Sequence, residues 1–340
     1  MAYKKINIQT IFNKIWKILG QMFIFVQQND KDMTTNFKSL LQVLDYFKDE
    51  ATCTAYLAKS RWNDTPSCPH CGNVGAYVTN RGFKCKAKEC HKKFTVTTGT
   101  IFENTKVPLR LWFATIYLAT AHKKGISSLQ LSRDLNITQK TAWFLLHRVR
   151  EMLANNAPEM LDGTVEIDET YVGGATKNKS NKKRAALRET GGQYFSKTSV
   201  VAMLQRDGEV RTTVLKANSV KFSDVLPLIQ ANVSETSLII TDSSTMYGIL
   251  KLSYRHEVVN HVNKEYARGA MHTNTIEGFF SQFKRGIIGI YHYVSPKHLQ
   301  RYCNEFGYRY NTRKTTDVVR FEDAFKQVNN IRLTYANLIA

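Results

Sequence analysis

Cys68, Cys71, Cys85 and Cys90 constrain the fold of this chain more tightly than any other set of residues. They form two close pairs, Cys68-Pro69-His70-Cys71-Gly72 and Cys85-Lys86-Ala87-Lys88-Glu89-Cys90, joined by a short intervening stretch. This spacing lets each pair reach one tetrahedral ion through a tight turn, which is the pattern of a four-thiolate zinc site. Gly72 permits the backbone conformation that aims amide groups at the thiolates. Between the pairs, Ala76-Tyr77-Val78 and Gly82-Phe83-Lys84 read as short strands, so the stretch is predicted to be a zinc ribbon. The second pair is the more widely spaced of the two, which leaves His91 as an alternative to one cysteine. Four protein ligands leave no open position for chemistry, and the expected Zn²⁺ is structural.

Charge narrows the class of partner. Lys+Arg number 48 against 28 Asp+Glu, a net charge of +20, and such an excess favours a polyanion: nucleic acid first, an anionic membrane surface second. Residues Ile6 to Val26 are apolar in places, but Lys14 and Lys17 interrupt them and no small-residue cleavage site follows. Neither a secretory signal nor a membrane span is expected. The chain reads as intracellular, its six cysteines as thiols or metal ligands, and Cys53 as a small core residue.

Helical spacing dominates on both sides of the ribbon. Phe37 to Leu57 is helical with a break near Asp49-Glu50, and a helix starting at Pro108 runs to about His122. A helix-turn-helix rhythm follows. Ser127 or Ser128 caps a helix bearing Leu129, Leu131 and Leu135, Asn136-Ile137 makes the turn, and Thr138 caps a second helix striped by Ala142, Leu145, Val149 and Leu153. Gln139, Lys140 and Thr141 at its start, with Arg148 and Arg150 later, are the expected DNA contacts.

Beyond Pro158 the pattern becomes α/β. Thr164 to Val172 alternates as a strand does, with Val165 and Ile167 on one side and Glu166 and Asp168 on the other. The loop from Gly173 to Gly192 carries Lys177, Lys179, Lys182, Lys183, Arg184 and Arg188, a candidate contact to the phosphate backbone. Strands are predicted at Thr198 to Leu204 and Val210 to Leu215 around the Asp207-Gly208 turn, then a helix at Phe222 to Ala231. A fourth strand from Leu238 ends at Thr241-Asp242, and Asn274-Thr275 opens a helix with Glu277 in its first turn and Lys284 two turns later. Strand with acid, two strands, helix, strand ending in acid, helix with acid is the ribonuclease-H-like layout. In that layout the first and fourth strands lie side by side and bring Asp168 to Asp242.

The chain resembles insertion-sequence DDE transposases of the bacterial class with an N-terminal zinc ribbon, related to Merlin elements. Besides the CPxCG knuckle, the matching stretches are Thr97-Thr98-Gly99-Thr100-Ile101-Phe102, Lys140-Thr141-Ala142-Trp143, Val165 to Gly174, Thr241-Asp242, His272 to Glu277 and Tyr308-Arg309-Tyr310-Asn311. The resemblance implies a multidomain α+β protein. An N-terminal extension (1–34) precedes a helical lead-in and zinc ribbon (35–97) and a helix-turn-helix DNA-binding region (98–158). A ribonuclease-H-like, retroviral-integrase-like catalytic domain (159–313) and a C-terminal tail (314–340) follow. Asp168, Asp242 and Glu277 are the implied ligands of two Mg²⁺ or Mn²⁺ ions, with Asp168 bridging them. Asn274 is a rival to Glu277, whose separation from Asp242 along the chain is similar to the family's. Lys284 and Arg285 are implied phosphate contacts. The implied partners are double-stranded DNA, as element ends and target, and further copies of the chain at synapsis, in the nucleoid-associated cytoplasm. A DNA-binding regulator or a nuclease derived from such an enzyme is the alternative.

Overall fold

The computed structural model describes residues 37–63, 65–154, 159–174, 180–189, 197–215, 220–259, 269 and 271–340; the N-terminal extension and Lys177 and Lys179 lie outside them. Ser39–Ala340 forms one unit. Its first helices, α1 (Leu40–Tyr46) and α2 (Glu50–Trp62), break where Asp49 caps α2 by accepting from the Thr52 amide at 2.8 Å. The ribbon follows as an antiparallel sheet of β1 (Ala76–Thr79), β2 (Gly82–Cys85) and β3 (Lys93–Phe94). Trp62, Phe83 and Phe94 pack against its cysteines.

α3 (Leu109–Ala121) is buried on nearly every side, as expected of a helix apolar all round. α4 (Ser128–Asp134) and α5 (Gln139–Met152) meet at a tight turn in which Asn136 adopts a left-handed φ of 50°, a conformation asparagine tolerates. Thr138 caps α5 by accepting from the Thr141 amide at 3.2 Å.

The second half is built on a five-stranded sheet. Its elements are β4 (Thr164–Val172), α6 (Asn181–Glu189), β5 (Thr198–Gln205), β6 (Val210–Leu215), α7 (Phe222–Asn232), β7 (Leu238–Asp242) and β8 (Arg255–Val259). The strand order is β6-β5-β4-β7-β8, with β5 antiparallel to its neighbours and β7 and β8 parallel to β4. Alternation along the strands sorts the two faces. Val165, Ile167, Val201, Met203 and Ile239 pack with α7 on one face. On the other, Val200, Ala202 and Leu204 pack with α8 (Asn274–Gly286) and α9 (Leu299–Asn311). α6 occupies part of the expected basic loop; alanine, lysine and arginine are good helix formers, and this run holds no glycine or proline.

Three further expectations change. Residues 314–340 are not a tail: α10 (Asp317–Lys326) returns to the N-terminal helices, and α11 (Tyr335–Ile339) follows it. Phe321 and Phe325 join Phe47, Tyr56 and Phe113 in one aromatic cluster, with the Phe113 and Phe325 centroids 4.6 Å apart. Backbone bonds from Ile101 to Val328 (3.0 Å) and Asn330 to Gly99 (2.9 Å) fasten the return. Arg148, expected on DNA, is only 4% exposed; its guanidinium lies over Trp112 and Phe144 and donates to the Glu103 carbonyl. Long arginine stems bury readily when an aromatic face and a carbonyl receive the head group.

Arg150 is also internal. It donates to Glu305 at 2.5 Å, and Arg309, held by the Ala119 carbonyl at 2.7 Å, pairs with the other oxygen of the same carboxylate. Burial alone would raise the Glu305 carboxyl, but the two guanidiniums outweigh it and hold it well below the usual carboxylate range. Tyr291 donates a further bond to Glu305 at 2.7 Å, beneath Gly125. Any β-carbon at Gly125 would lie 2.0 Å from the Tyr291 hydroxyl, so the position admits no side chain. This network joins α3, α5 and α9.

Candidate active site and zinc ribbon

In the ribbon, Cys68, Cys71, Cys85 and Cys90 bring four sulfurs within 4.8 Å of one another. The Cys68–Cys90 pair is 3.8 Å apart and the Cys71–Cys85 pair 3.6 Å. A tetrahedron with Zn–S bonds of about 2.3 Å has edges of roughly 3.8 Å, and these two pairs match that edge. The four cysteines complete the set, and His91, exposed at a left-handed φ of 47°, is not needed.

Among the described residues the four cysteines are the group of metal-type ligands within reach of one ion; of the candidate acids, Asp168 and Glu277 line one groove elsewhere, and Asp242 is not among its lining residues. The β4–β7 register pairs Thr164 with Leu238 and Glu166 with Ile240, where the pairing ends; carried on by two residues, the same offset would bring Asp168 opposite Asp242. α8 crosses this end of the sheet. Glu277 in its first turn, with Lys284 and Arg285 two turns on, lines a groove of about 790 Å³ together with Asp168, Glu169 and Lys124. Asn274, the alternative to Glu277, is exposed and does not line it. Each carboxylate is held. Asp168 accepts from the Glu169 amide at 2.8 Å, Asp242 from the Ser244 amide at 3.1 Å, and Glu277 from the Thr273 hydroxyl at 2.8 Å.

Asp168 records the crowding. Burial first, then the charges of Glu169, Asp242 and Glu277, push its carboxyl up to about 7. Glu169 is itself raised, by burial and by Asp242, while the Tyr247 hydroxyl, 2.7 Å from its Oε2, partly offsets this. Sequence reasoning assigned no role to Glu169 or Tyr247. The signal for Glu169 was its place beside Asp168 at the strand end. Nothing local announced Tyr247, which arrives from a 3-10 helix, Thr245–Leu252.

Comparison with known proteins agrees with both halves. A transposase zinc-ribbon domain matches residues 48–93, and an ISXO2-like transposase domain matches residues 160–311, together more than half of the chain. The chain belongs to the insertion-sequence transposases that carry an N-terminal zinc ribbon. It is similar to an uncharacterized protein in transposable element ISH50 of Halobacterium salinarum, with 28% identity over 274 residues that cover 77% of this chain and 91% of that protein.

In this transposase the remaining candidates fall into three groups. Gln139 and Lys140 are exposed at the start of α5 and Thr141 is half-buried; Gln139 donates to Ser128 at 2.9 Å, and Lys140 lies over the Tyr335 ring. On α6, Lys182 is exposed and Arg184 half-buried, while the side chains of Lys183 and Arg188 lie outside the described residues. The Tyr308-Arg309-Tyr310-Asn311 stretch is structural: Tyr308 donates to the Arg320 carbonyl, and Asn311 brackets Val210 by accepting from its amide at 2.8 Å and donating to its carbonyl at 3.2 Å. No helix of the transposase's described residues is long and apolar enough to cross a membrane.

Proposed function

We propose that this transposase binds the ends of its element through a helix-turn-helix, cuts them and joins them to target DNA in a ribonuclease-H-like domain. Asp168, Asp242 and Glu277 hold Mg²⁺ or Mn²⁺ there. The observation that carries this reading is Glu277 beside Asp168 in a groove that also holds Lys284 and Arg285, with Asp242 ending the adjacent parallel strand. The strand order β6-β5-β4-β7-β8 supports the fold assignment. The donor set fits the ions: carboxylate oxygens are hard ligands, and Asp168, Glu169 and Glu277 line the same groove. When bound, two such ions activate the attacking oxygen and stabilise the departing one during in-line phosphodiester exchange.

The protein's own part is placement. The strands fix Asp168 and Asp242, and α8 carries Glu277 and Lys284 two turns apart, so acid and ammonium share one helix face. Lys284, Arg285 and Lys124 neutralise the phosphates of a strand drawn into the groove. Gln139, Lys140 and Thr141 read DNA from α5, Lys182, Lys183 and Arg184 on α6 hold its backbone, and a second copy of the chain joins at synapsis. Incubating the zinc-loaded protein with DNA carrying the element's terminal repeats, with Mg²⁺ or EDTA, tests this. Metal-dependent nicks at the repeat ends with joined products are expected, and Asp242→Ala should abolish both while DNA binding persists. Binding without cleavage under any divalent ion would reduce the protein to a regulator.

A further inference from the structure

α8 begins without the cap its sequence offers. Thr273 stands at the N-cap, yet its hydroxyl makes no bond to the helix's first amides; it donates instead to Glu277 Oε1 at 2.8 Å. The amide that an N-cap side chain ordinarily satisfies is that of the third helical residue, Ile276. That amide donates to Glu166 Oε2 at 2.9 Å, so the cap comes from the central strand of the sheet. Glu166 is fully buried, and its other oxygen accepts from Arg206 Nε at 2.7 Å. Arg206 Nη2 donates to the His272 carbonyl at 2.8 Å and lies 3.1 Å from His272 Nδ1, tying the residue just before the cap into the same cluster.

Glu166 and Asp168 are next-but-one neighbours on β4, hence on the same side of the pleat and about 7 Å apart along it. We propose that the Glu166–Arg206 pair is a positioning device that locks the phase and height of α8 on β4 and so sets Glu277 relative to Asp168. The proposal rests on Asp168, Asp242 and Glu277 being metal ligands. A buried ion pair is a poor source of stability, because desolvating both charges costs about what their attraction returns. A leucine at 166 could pack against Leu204, its partner across β5, but would leave the Ile276 amide unsatisfied. What only the carboxylate provides is direction: one oxygen toward the helix start and one toward the guanidinium. It also releases Thr273 to hold Glu277.

Glu166→Gln in the zinc-loaded full chain tests this, since Ile276 and Arg206 donate to different oxygens and an amide would turn its NH2 toward one of the two donors. Expected are unchanged zinc content and circular dichroism, faster hydrogen exchange at Ile276 and Glu277, and Mn²⁺ affinity by electron paramagnetic resonance weakened about tenfold. In DNA cleavage, kcat should fall at limiting Mn²⁺ and partly recover at saturating Mn²⁺ with KM for DNA unchanged. Arg206→Lys, which keeps a cation within reach of Glu166, should retain most of the wild-type metal dependence, whereas Arg206→Ala should match Glu166→Gln. Thr273→Val gives a second approach if Glu166→Gln fails to fold; it should weaken Mn²⁺ binding in the same direction and less strongly. Wild-type Mn²⁺ affinity in Glu166→Gln, or in Thr273→Val when only that variant folds, overturns the positioning role, provided Asp168→Asn has lost Mn²⁺. If Asp168→Asn also keeps wild-type Mn²⁺ binding, the metal reading falls and this role falls with it.

Discussion

The ribbon and the groove gather metal-type ligands in opposite ways. In the ribbon, four sulfurs lie within 4.8 Å of one another, two pairs of them 3.6 and 3.8 Å apart, on turns and a few short strands. In the groove, carboxylates sit on a sheet and a helix that other contacts hold in place, and burial first, then the neighbouring acids, raises Asp168. The expectation is that the ribbon depends on its ion to fold, whereas the groove keeps its fold without one.

The largest expected effect tests that dependence. Cys85→Ser, or a strong chelator, should unfold the ribbon, because structural zinc contributes on the order of 10 kcal/mol in domains this small. Hydrogen exchange should accelerate across residues 65–96 while the five-stranded sheet keeps its protection. Equal loss in both regions would break the contrast. Next, Asp168→Asn should lower metal-dependent cleavage on the order of 10³-fold, the scale of losing one electrostatic element of a catalytic site, with the fold intact. Glu305→Gln sharpens the comparison with a carboxylate whose counterions are built in. It leaves Arg150 and Arg309 buried against a neutral partner, at a cost of about 3–5 kcal/mol in denaturant titration.

These two acids should also respond to pH with opposite signs. The Glu305 carboxyl is lowered in the fold, so its contribution is present at neutral pH and is lost as pH falls below the usual carboxylate range. Asp168 is raised to about 7, so without metal it penalises the fold increasingly as pH climbs from about 4 to 7, by on the order of 4 kcal/mol. Metal-free Asp168→Asn should therefore melt above wild type at pH 8 and level with it at pH 4, and Mg²⁺ should close the gap. The smallest effect is Lys284→Ala: weaker DNA binding by about 1 kcal/mol and a salt dependence shallower by about one counterion, read by anisotropy at several ionic strengths.

Much of this arrangement was legible in the chain. The predicted strands appear where they were placed, although β3 and the edge strand β8 were not read from the sequence; the Asp49 break is a helix cap, and the acids stand at a strand interior, a strand end and a first helical turn. Periodicity reports which face is buried, not what buries it, and the misreadings follow from that. Arg148 and Arg150 look like solvent-facing charges until Trp112 and Glu305 come to meet them from distant segments. Phe321 and Phe325 mark an amphipathic helix, but their partners Phe47, Tyr56 and Phe113 lie far upstream, on either side of the ribbon. Glu166 has the same charge and the same strand side as Asp168, and only the tertiary fold distinguishes an acid that caps a helix from one that faces the groove.

The return of α10 gives this protein a schedule. Synthesis proceeds from the N-terminus, yet Phe47, Tyr56 and Phe113 lack two of their partner rings until the stretch from Asp317 onward has emerged. A nascent or prematurely terminated chain thus presents its ribbon above an uncovered apolar surface, the kind that chaperones and proteases engage. Only a chain translated through α10 completes the aromatic cluster of the helices that flank the ribbon.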